Sequence, residues 1–165
     1  MNTIVIQSSQ DINIPVVELF KHIASRDLLT VFHNIPFVQR FAPIDQSEVN
    51  RSLGSESIIF FEDFNSARHV FLTFINDWSF SVRIDNFTSM RLSPISAVEY
   101  QFTFFDNGDK SSIVSATYQF QMRSKIEMLL FKMLAGKFIQ KHIDIFFKRI
   151  IQSSDQYKIV TDWNY

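Results

Sequence analysis

The feature that most constrains this fold is a pair of alternating segments, residues 95–106 and 111–122, joined by Asn107-Gly108. Over residues 98–104 and 114–122 apolar side chains occupy every second position and polar ones fill the rest, a pattern typical of strands buried on one face. Asn-Gly favours the two-residue turn of a β-hairpin, because both residues tolerate a positive φ. Residues 78–86 alternate in the same way. The predicted buried faces consist of Trp78, Phe80, Val82, Ile84, Val98, Tyr100, Phe102, Phe104, Val114, Ala116, Tyr118, Phe120 and Met122.

The rest of the chain divides into further elements by period and by turn residues. The stretch "PVVELFKHIA" has one apolar face and opens at Pro15, which suits the first turn of a helix. The stretch "SRDLLTVFH" predicts a second short helix. The last helix covers about 124–151, and its apolar stripe changes direction near Ala135-Gly136, which predicts a kink or a break. The predicted strands are 3–13, 37–45, 56–63, 68–76, 78–86, 95–106 and 111–122.

This order predicts an α+β fold, in which a curved antiparallel sheet of about seven strands (β-α-α-β6-α) wraps on the long C-terminal helix. Residues 1–152 are predicted to form one domain. Residues 153–165 are predicted to form a tail that is loose or adds an edge strand at Lys158–Thr161.

An internal hydrophobic cavity is expected between the sheet and the helix. The chain has 19 Phe among 165 residues, and wide, stiff rings on a curved sheet under one helix leave space that side chains do not fill. Such a space has the usual form of a small-molecule site. The residues expected to line it are Phe60, Leu72, Phe74, Trp78, Phe80, Val82, Tyr100, Phe102, Tyr118, Phe120, Met133, Ile139 and Ile143.

Composition excludes several classes of function. With no cysteine, the chain cannot form disulfides or thiolate zinc sites. Three glycines are too few for a Gly-rich phosphate loop. A net charge of −1 argues against nucleic acid as a partner. The sequence predicts no transmembrane segment, no metal and no cofactor, and the cytoplasm is the expected location.

Three polar residues are candidates for chemistry. Tyr100 and Tyr118 belong to the predicted buried faces of one hairpin, and a buried phenol needs a hydrogen-bond partner. That partner is either a ligand carbonyl or a backbone group or water. His69 either faces the cavity, where it could donate a hydrogen bond or a proton, or lies at the rim or surface.

The last helix is rich in basic residues. A basic amphipathic helix can lie on anionic lipid, and apolar residues before Gly136 are difficult to bury all at once. The alternatives are a lid, a weak membrane contact, a homodimer contact, or a solvated outer face on a helix that closes the core. The basic residues are Arg123, Lys125, Lys132, Lys137, Lys141, Lys148 and Arg149.

Four stretches resemble one known superfamily: "TIVIQSSQDINIPVVELFKHIASRDLLTVF", "VNRSLGSESIIFFED", "VFLTFINDWSFSVRI" and the hairpin followed by "FIQKHIDIFFKRIIQ". With them the chain resembles the START-related (SRPBCC) superfamily of the helix-grip fold over about residues 3–152. The resemblance implies a hydrophobic cavity and relatives that bind lipids, sterols or coenzyme Q or act as polyketide cyclases or dehydratases. Many bacterial members carry a Glu near the start of the fourth strand, where this chain has Arg68-His69, so the role of that Glu is not transferred.

The sequence therefore predicts binding or transport of a small hydrophobic ligand, such as a lipid, a quinone or a polyketide-like molecule. One alternative is a cyclase/dehydratase-type enzyme that uses His69, Tyr100 or Tyr118 as acid or base. Another is an interaction module that uses the last helix.

Overall fold

The computed structural model describes residues 2–24, 52–61, 64–108 and 110–161, with side chains up to residue 152. The predicted helix at 25–33 and strand at 37–45 lie outside this part of the chain. The elements are β1 (Asn2–Ile12), α1 (Val16–Ala24), β2 (Glu56–Phe60), β3 (Ser66–Ile75), β4 (Ser79–Asp85), a 3-10 turn (Met90–Leu92), β5 (Ile95–Gly108), β6 (Ser111–Met122), α2 (Lys125–Leu134) and α3 (Gly136–Thr161).

The described strands form one six-stranded antiparallel sheet in the spatial order β1-β6-β5-β4-β3-β2. The predicted α+β arrangement, with C-terminal helices against an antiparallel sheet, is confirmed. The hairpin of β5 and β6 is also confirmed, with its turn slightly later than predicted. Gly108 still belongs to β5, and among the described residues of the turn Gly108 and Lys110 have positive φ values.

The predicted interruption of the last helix is confirmed. Helix α2 ends at Leu134, the N–H of Ala135 donates to the carbonyl of Phe131 (2.8 Å), and α3 begins at Gly136. The prediction of an edge strand at Lys158–Thr161 is wrong, because α3 continues through Thr161. Among the described residues no helix combines the length and the apolar character needed to cross a bilayer.

The core lies between the inner face of the sheet and two helices. Helix α1 contributes Leu19, Phe20 and Ile23, at the spacing of one helical face. Helix α3 contributes residues that are also spaced by three or four positions along one helical face. The hydroxyl of Ser8 in β1 donates to Asp144 Oδ1 of α3 (3.0 Å) and joins helix to sheet. The buried residues of α3 are Ile139, Ile143, Phe146, Phe147 and Ile150.

The outer face of the sheet carries a row of charged side chains across β2 to β5. Asp85 is at its centre, with 8% of its side chain exposed. Its carboxylate accepts two hydrogen bonds from Arg68 (2.8 and 2.9 Å) and one from Arg83 (2.8 Å). Arg83 also bonds to Glu99, and Arg68 lies 3.5 Å from Glu56. Neighbouring strands place opposite charges side by side, which stabilises their pairing.

Candidate functional site

Cross-strand register aligns the inward side chains in rows across the sheet. Tyr100 of β5 lies between Val82 of β4 and Tyr118 of β6, and Tyr118 faces Ile6 of β1. Phe71 of β3 continues this row beyond Val82. Because the period of a strand is two, the predicted alternation of β4, β5 and β6 places these side chains on the covered face.

Aromatic rings from the sheet and from both helices meet in the central part of the space between them. Phe80 and Phe102 stack with ring centroids 5.3 Å apart. Phe20 of α1 meets Phe104 edge-on at 5.2 Å, and Phe147 of α3 meets Phe102 at 6.5 Å. Such ring pairs contribute about 0.5–1.5 kcal/mol each beyond the burial of their area. The rings therefore tie both helices to the sheet at this level.

The imidazole of His69 lies within this apolar face. His69 is 6% exposed, so it is not a surface histidine. Its Nδ1 lies 3.4 Å from the hydroxyl of Ser57, and its Nε2 lies 3.5 Å from the hydroxyl of Tyr100. Burial lowers the pKa of His69 from 6.5 to about 4, because the charged imidazolium is poorly solvated there. The ring is therefore neutral at pH 7 and can both donate and accept a hydrogen bond.

Tyr118 lies beside this group on the next strand. It is fully buried, and its ring centroid is 5.8 Å from that of Tyr100. Burial, and secondarily the nearby Tyr100, raises the pKa of Tyr118 well above its ordinary value. The phenol of Tyr118 therefore remains protonated near neutral pH and can act as a hydrogen-bond donor.

A pocket, which we call the α2 pocket, lies beneath α2. It has a volume of about 160 Å³ and is formed where the 3-10 turn, the start of β5 and the end of β6 meet α2. The N–H of Arg123 donates to the carbonyl of Pro94 (3.0 Å) and joins two of these segments. The pocket is lined by Arg91, Leu92, Pro94, Ile95, Met122, Glu127, Leu130, Phe131, Leu134 and Ala135.

Glu127 supplies a carboxyl group to the lining of the α2 pocket. Its backbone N–H donates to the hydroxyl of Ser124 (3.2 Å), the N-cap of α2. Its Oε2 is buried and has no hydrogen-bond partner among the described residues. An unpaired buried oxygen is unfavourable, so a ligand that donates a hydrogen bond there would be stabilised.

Strand β6 extends from the neighbourhood of Tyr100 to the wall of the α2 pocket. Tyr118, Phe120 and Met122 are successive inward side chains of this strand, with Tyr118 next to Tyr100 and Met122 in the pocket wall. Between them, Phe120 packs on Phe131 of α2 with ring centroids 5.1 Å apart.

Most of the residues expected to line a cavity face the covered side of the sheet. Phe74 is partly buried against the core and lies 5.6 Å from Phe20, centroid to centroid. None of these residues contributes to the α2 pocket. The buried ones are Phe80, Val82, Tyr100, Phe102, Tyr118, Phe120, Ile139 and Ile143.

Four expected lining residues are exposed instead, and for these the predicted inward orientation is wrong. Phe60 belongs to a continuous apolar run whose inward members are Ile59 and Phe61, so its phase was ambiguous. Leu72 lies at a β-bulge between Phe71 and Thr73, which turns Leu72 outward while Phe71 and Phe74 both pack inside.

The other two exposed residues have different causes. Trp78 precedes the first residue of β4 and lies in the turn, where it meets the outward Phe105 edge-on at 6.3 Å. Met133 is on the side of α2 that faces away from the sheet.

Sequence reasoning did not predict Ser57, Arg91 or Glu127 as site residues. The spacing of Ser124 and Glu127 is that of a capping box and marks the start of a helix. It does not indicate that the carboxyl group turns toward a pocket. In the parts of the chain that the structure describes, no three His, Asp or Glu side chains are placed to bind a metal ion together.

No protein-family model matches this chain, and no curated protein matches its sequence. Solved structures match its fold. A norcoclaurine synthase point mutant from Thalictrum flavum, in complex with a transition-state analogue, has a TM-score of 0.59 at 9% identity, and the match covers 93% of this chain and 96% of that one. A START superfamily protein from Mycobacterium smegmatis has a TM-score of 0.57 at 10% identity, with 90% and 97% covered.

Two further structures agree. Ara h 8.0201 has a TM-score of 0.51 at 12% identity, and the match covers 87% of this chain and 97% of that one. Norcoclaurine synthase from Thalictrum flavum in complex with dopamine and hydroxybenzaldehyde has a TM-score of 0.52 at 9% identity, with 86% of each chain covered. The chain therefore has the helix-grip fold of START-related proteins, as the sequence resemblance predicts.

Proposed function

We propose that this chain binds a small hydrophobic molecule, and that the α2 pocket holds the molecule or its apolar end. The observation that carries this proposal is the composition of the pocket, in which eight of the ten lining residues are apolar. Its volume of about 160 Å³ is close to that of an engineered apolar cavity of about 150 Å³ that binds benzene. A guest the size of one ring, or one end of a lipid, quinone or polyketide-like molecule, matches this space.

The polar groups of the pocket suggest how such a guest would be oriented. The buried Oε2 of Glu127 has no partner among the described residues, so it favours a guest with a hydroxyl or amine donor. Arg91 is exposed at the pocket and offers donors to a carbonyl or carboxylate. Apolar contact would supply most of the affinity, and these two groups would supply orientation.

The structural neighbours are consistent with a ligand of this class. One solved norcoclaurine synthase is a complex with dopamine and hydroxybenzaldehyde, two small aromatic molecules with polar substituents. At 9% identity that likeness concerns the fold, so the proposal depends on the lining of the α2 pocket in this chain.

Titration followed by methyl NMR tests the proposal, with toluene and p-cresol as matched probes. Saturable shifts are expected at the methyl groups of Leu92 and Ile95, and p-cresol should bind more tightly because its hydroxyl can donate to Glu127. Leu130→Trp should fill the pocket and weaken binding at least tenfold. Leu129→Trp, on the same helix but outside the lining, is the control. Absence of saturable shifts, or equal effects of the two Trp variants, would contradict the proposal.

A cyclase/dehydratase-type enzyme is the second candidate, and the buried pair of His69 and Tyr100 favours it. Titratable groups placed in an apolar interior are candidates for acid-base chemistry. A tyrosine hydroxyl could donate to a substrate carbonyl while neutral His69 orients that hydroxyl. Turnover of a poly-β-ketone mimic should then be lost in Tyr100→Phe, Tyr118→Phe or His69→Ala and retained in His142→Ala. Turnover that survives the first three substitutions would exclude these residues as acid or base.

A further inference from the structure

Helix α2 is unusual because none of its ten residues is buried. Only Met128 and Phe131 pack partly against the core. The opposite side is also apolar: Ile126 is 73% exposed and Met133 is 71% exposed. We call the exposed apolar residues outside the α2 pocket the α2 outer face; they are Ile126, Leu129, Met133 and, at the start of α3, Phe138, while Leu130 and Leu134 lie at the border between this face and the pocket.

The spacing of these residues places them on one stripe. Ile126, Leu129 and Met133 are separated by three and four residues, which is the period of a single helical face. A helix in contact with water on this side would carry polar residues there, and a contiguous exposed apolar patch marks an interaction site. The α2 outer face is therefore an apolar surface that the described part of the chain leaves uncovered.

The exposed charged side chains along residues 123–141 are all basic. Arg123, Lys125, Lys132, Lys137 and Lys141 are all exposed on α2, just before it, or in the first turns of α3. Glu127 is the one acidic residue between 123 and 141, and its carboxyl lies toward the α2 pocket. The chain as a whole has a net charge of −1, so positive charge is concentrated at this helix.

We propose that α2 docks on an anionic lipid bilayer, with its axis in the plane of the interface. The α2 outer face would enter the boundary between headgroups and acyl chains, and the flanking Lys and Arg side chains would contact lipid phosphates. The contact is peripheral, because a helix of ten residues is only about 15 Å long.

Charge favours this occupant over a second copy of the chain. A two-fold dimer through the α2 outer face would place the basic residues of one copy against those of the other. Like charges brought together across an interface are unfavourable. An anionic surface instead neutralises them while it covers the apolar side chains.

Flotation of the full chain with lipid vesicles tests this proposal. Vesicles of phosphatidylcholine with phosphatidylglycerol should bind at least about tenfold more protein than phosphatidylcholine alone, and added salt should reduce the difference. Ile126→Gln with Met133→Gln should reduce binding about tenfold or more, since both side chains lie outside the lining of the α2 pocket. Lys125→Glu with Lys132→Glu should remove the preference for anionic lipid.

Two matched controls keep the test specific. Val5→Gln with Ile58→Gln replaces exposed apolar residues elsewhere, and Lys110→Glu with Lys148→Glu reverses exposed charges elsewhere; both should bind like the unmodified chain. Circular dichroism and urea unfolding verify that each variant folds. Equal binding to neutral and anionic vesicles, or unchanged binding of the α2 variants, would overturn the proposal. So would a dimer in light scattering that Ile126→Gln with Met133→Gln dissociates, because a second copy would then cover this face.

Discussion

His69 and Tyr100 meet on the covered face of the sheet, with Nε2 of the imidazole 3.5 Å from the phenol oxygen. The two residues lie on β3 and β5, with β4 between them, and are 31 positions apart in sequence. Their contact makes a titratable group part of the apolar core, and this has a measurable consequence for stability.

Acid should destabilise the fold through His69 in a defined pH range. Because burial lowers its pKa to about 4 from 6.5, the unfolded chain takes up a proton between these values while the folded chain does not. The stabilisation is complete above pH 6.5 and is lost progressively as the pH falls toward 4. The full loss is about 3 kcal/mol. Urea unfolding at a series of pH values measures it.

His69→Gln should abolish most of this pH dependence, because glutamine does not titrate. His142→Gln, which removes a histidine from the surface of α3, should keep the slope of the unmodified chain. If His69→Gln retained that slope between pH 6.5 and 4, the assignment to His69 would be wrong.

Asp85→Asn should destabilise the outer face of the sheet. The substitution removes a nearly buried carboxylate that accepts three hydrogen bonds from Arg68 and Arg83. Because the two Arg side chains are 40% and 31% exposed, water partly replaces Asp85, and the expected loss is about 1–2 kcal/mol. Glu56→Gln, in an exposed pair, should change the free energy of unfolding by less than about 0.5 kcal/mol. Equal losses for the two variants would show that Asp85 is no more important than a surface charge.

The same carboxylate contributes to acid stability in a lower range. Hydrogen bonds from Arg68, opposed by burial, and then those from Arg83 hold the pKa of Asp85 below its usual 3.8. Its stabilising contribution is present above pH 3.8 and is lost as the pH falls through the lower folded value. Unfolding curves of His69→Gln below pH 4 should therefore still show acid destabilisation, and the double variant with Asp85→Asn should show less.

Phe102→Ala should be strongly destabilising, since this ring is fully buried and contacts rings from both the sheet and α3. The expected loss is about 3–5 kcal/mol, from lost burial and from the cavity that remains. Phe105→Ala is the matched control on the same strand. Its ring is 47% exposed, so a loss of about 1 kcal/mol or less is expected. Chemical denaturation of both variants measures the difference, and similar losses would contradict the assignment of faces on β5.

Ser124→Ala should loosen α2 without affecting α3. The Ser124 hydroxyl caps α2 by accepting from the N–H of Glu127, and α2 buries too little to stabilise itself by packing. Loss of an N-cap costs about 1 kcal/mol, which corresponds to roughly fivefold faster amide exchange in α2. Hydrogen-deuterium exchange measures this, with Ser115→Ala on the outer face of β6 as control. Unchanged amide exchange in α2 would mean that the Ser124 cap does not determine the stability of this helix.

Sequence period predicted the inner face best where polar and apolar residues alternate without interruption. In β5 and β6 every second residue from Val98 to Phe104 and from Val114 to Met122 is buried, as predicted. Residues Ile58 to Phe61 are all apolar, so alternation does not indicate which of them point inward. For this reason Phe60 was predicted on the wrong face. Leu72 was misplaced because a bulge changes the phase of β3 after Phe71.

The sequence by itself determined the antiparallel sheet, the break between α2 and α3, and the ring-rich face, because each of these follows from residues a few positions apart. Only the tertiary structure decided that His69 meets Tyr100, that Glu127 turns toward a pocket, and that one side of α2 remains exposed. Those outcomes depend on which distant segments are brought into contact. The free energy of such contacts cannot be read from the pattern of neighbouring residues in the chain.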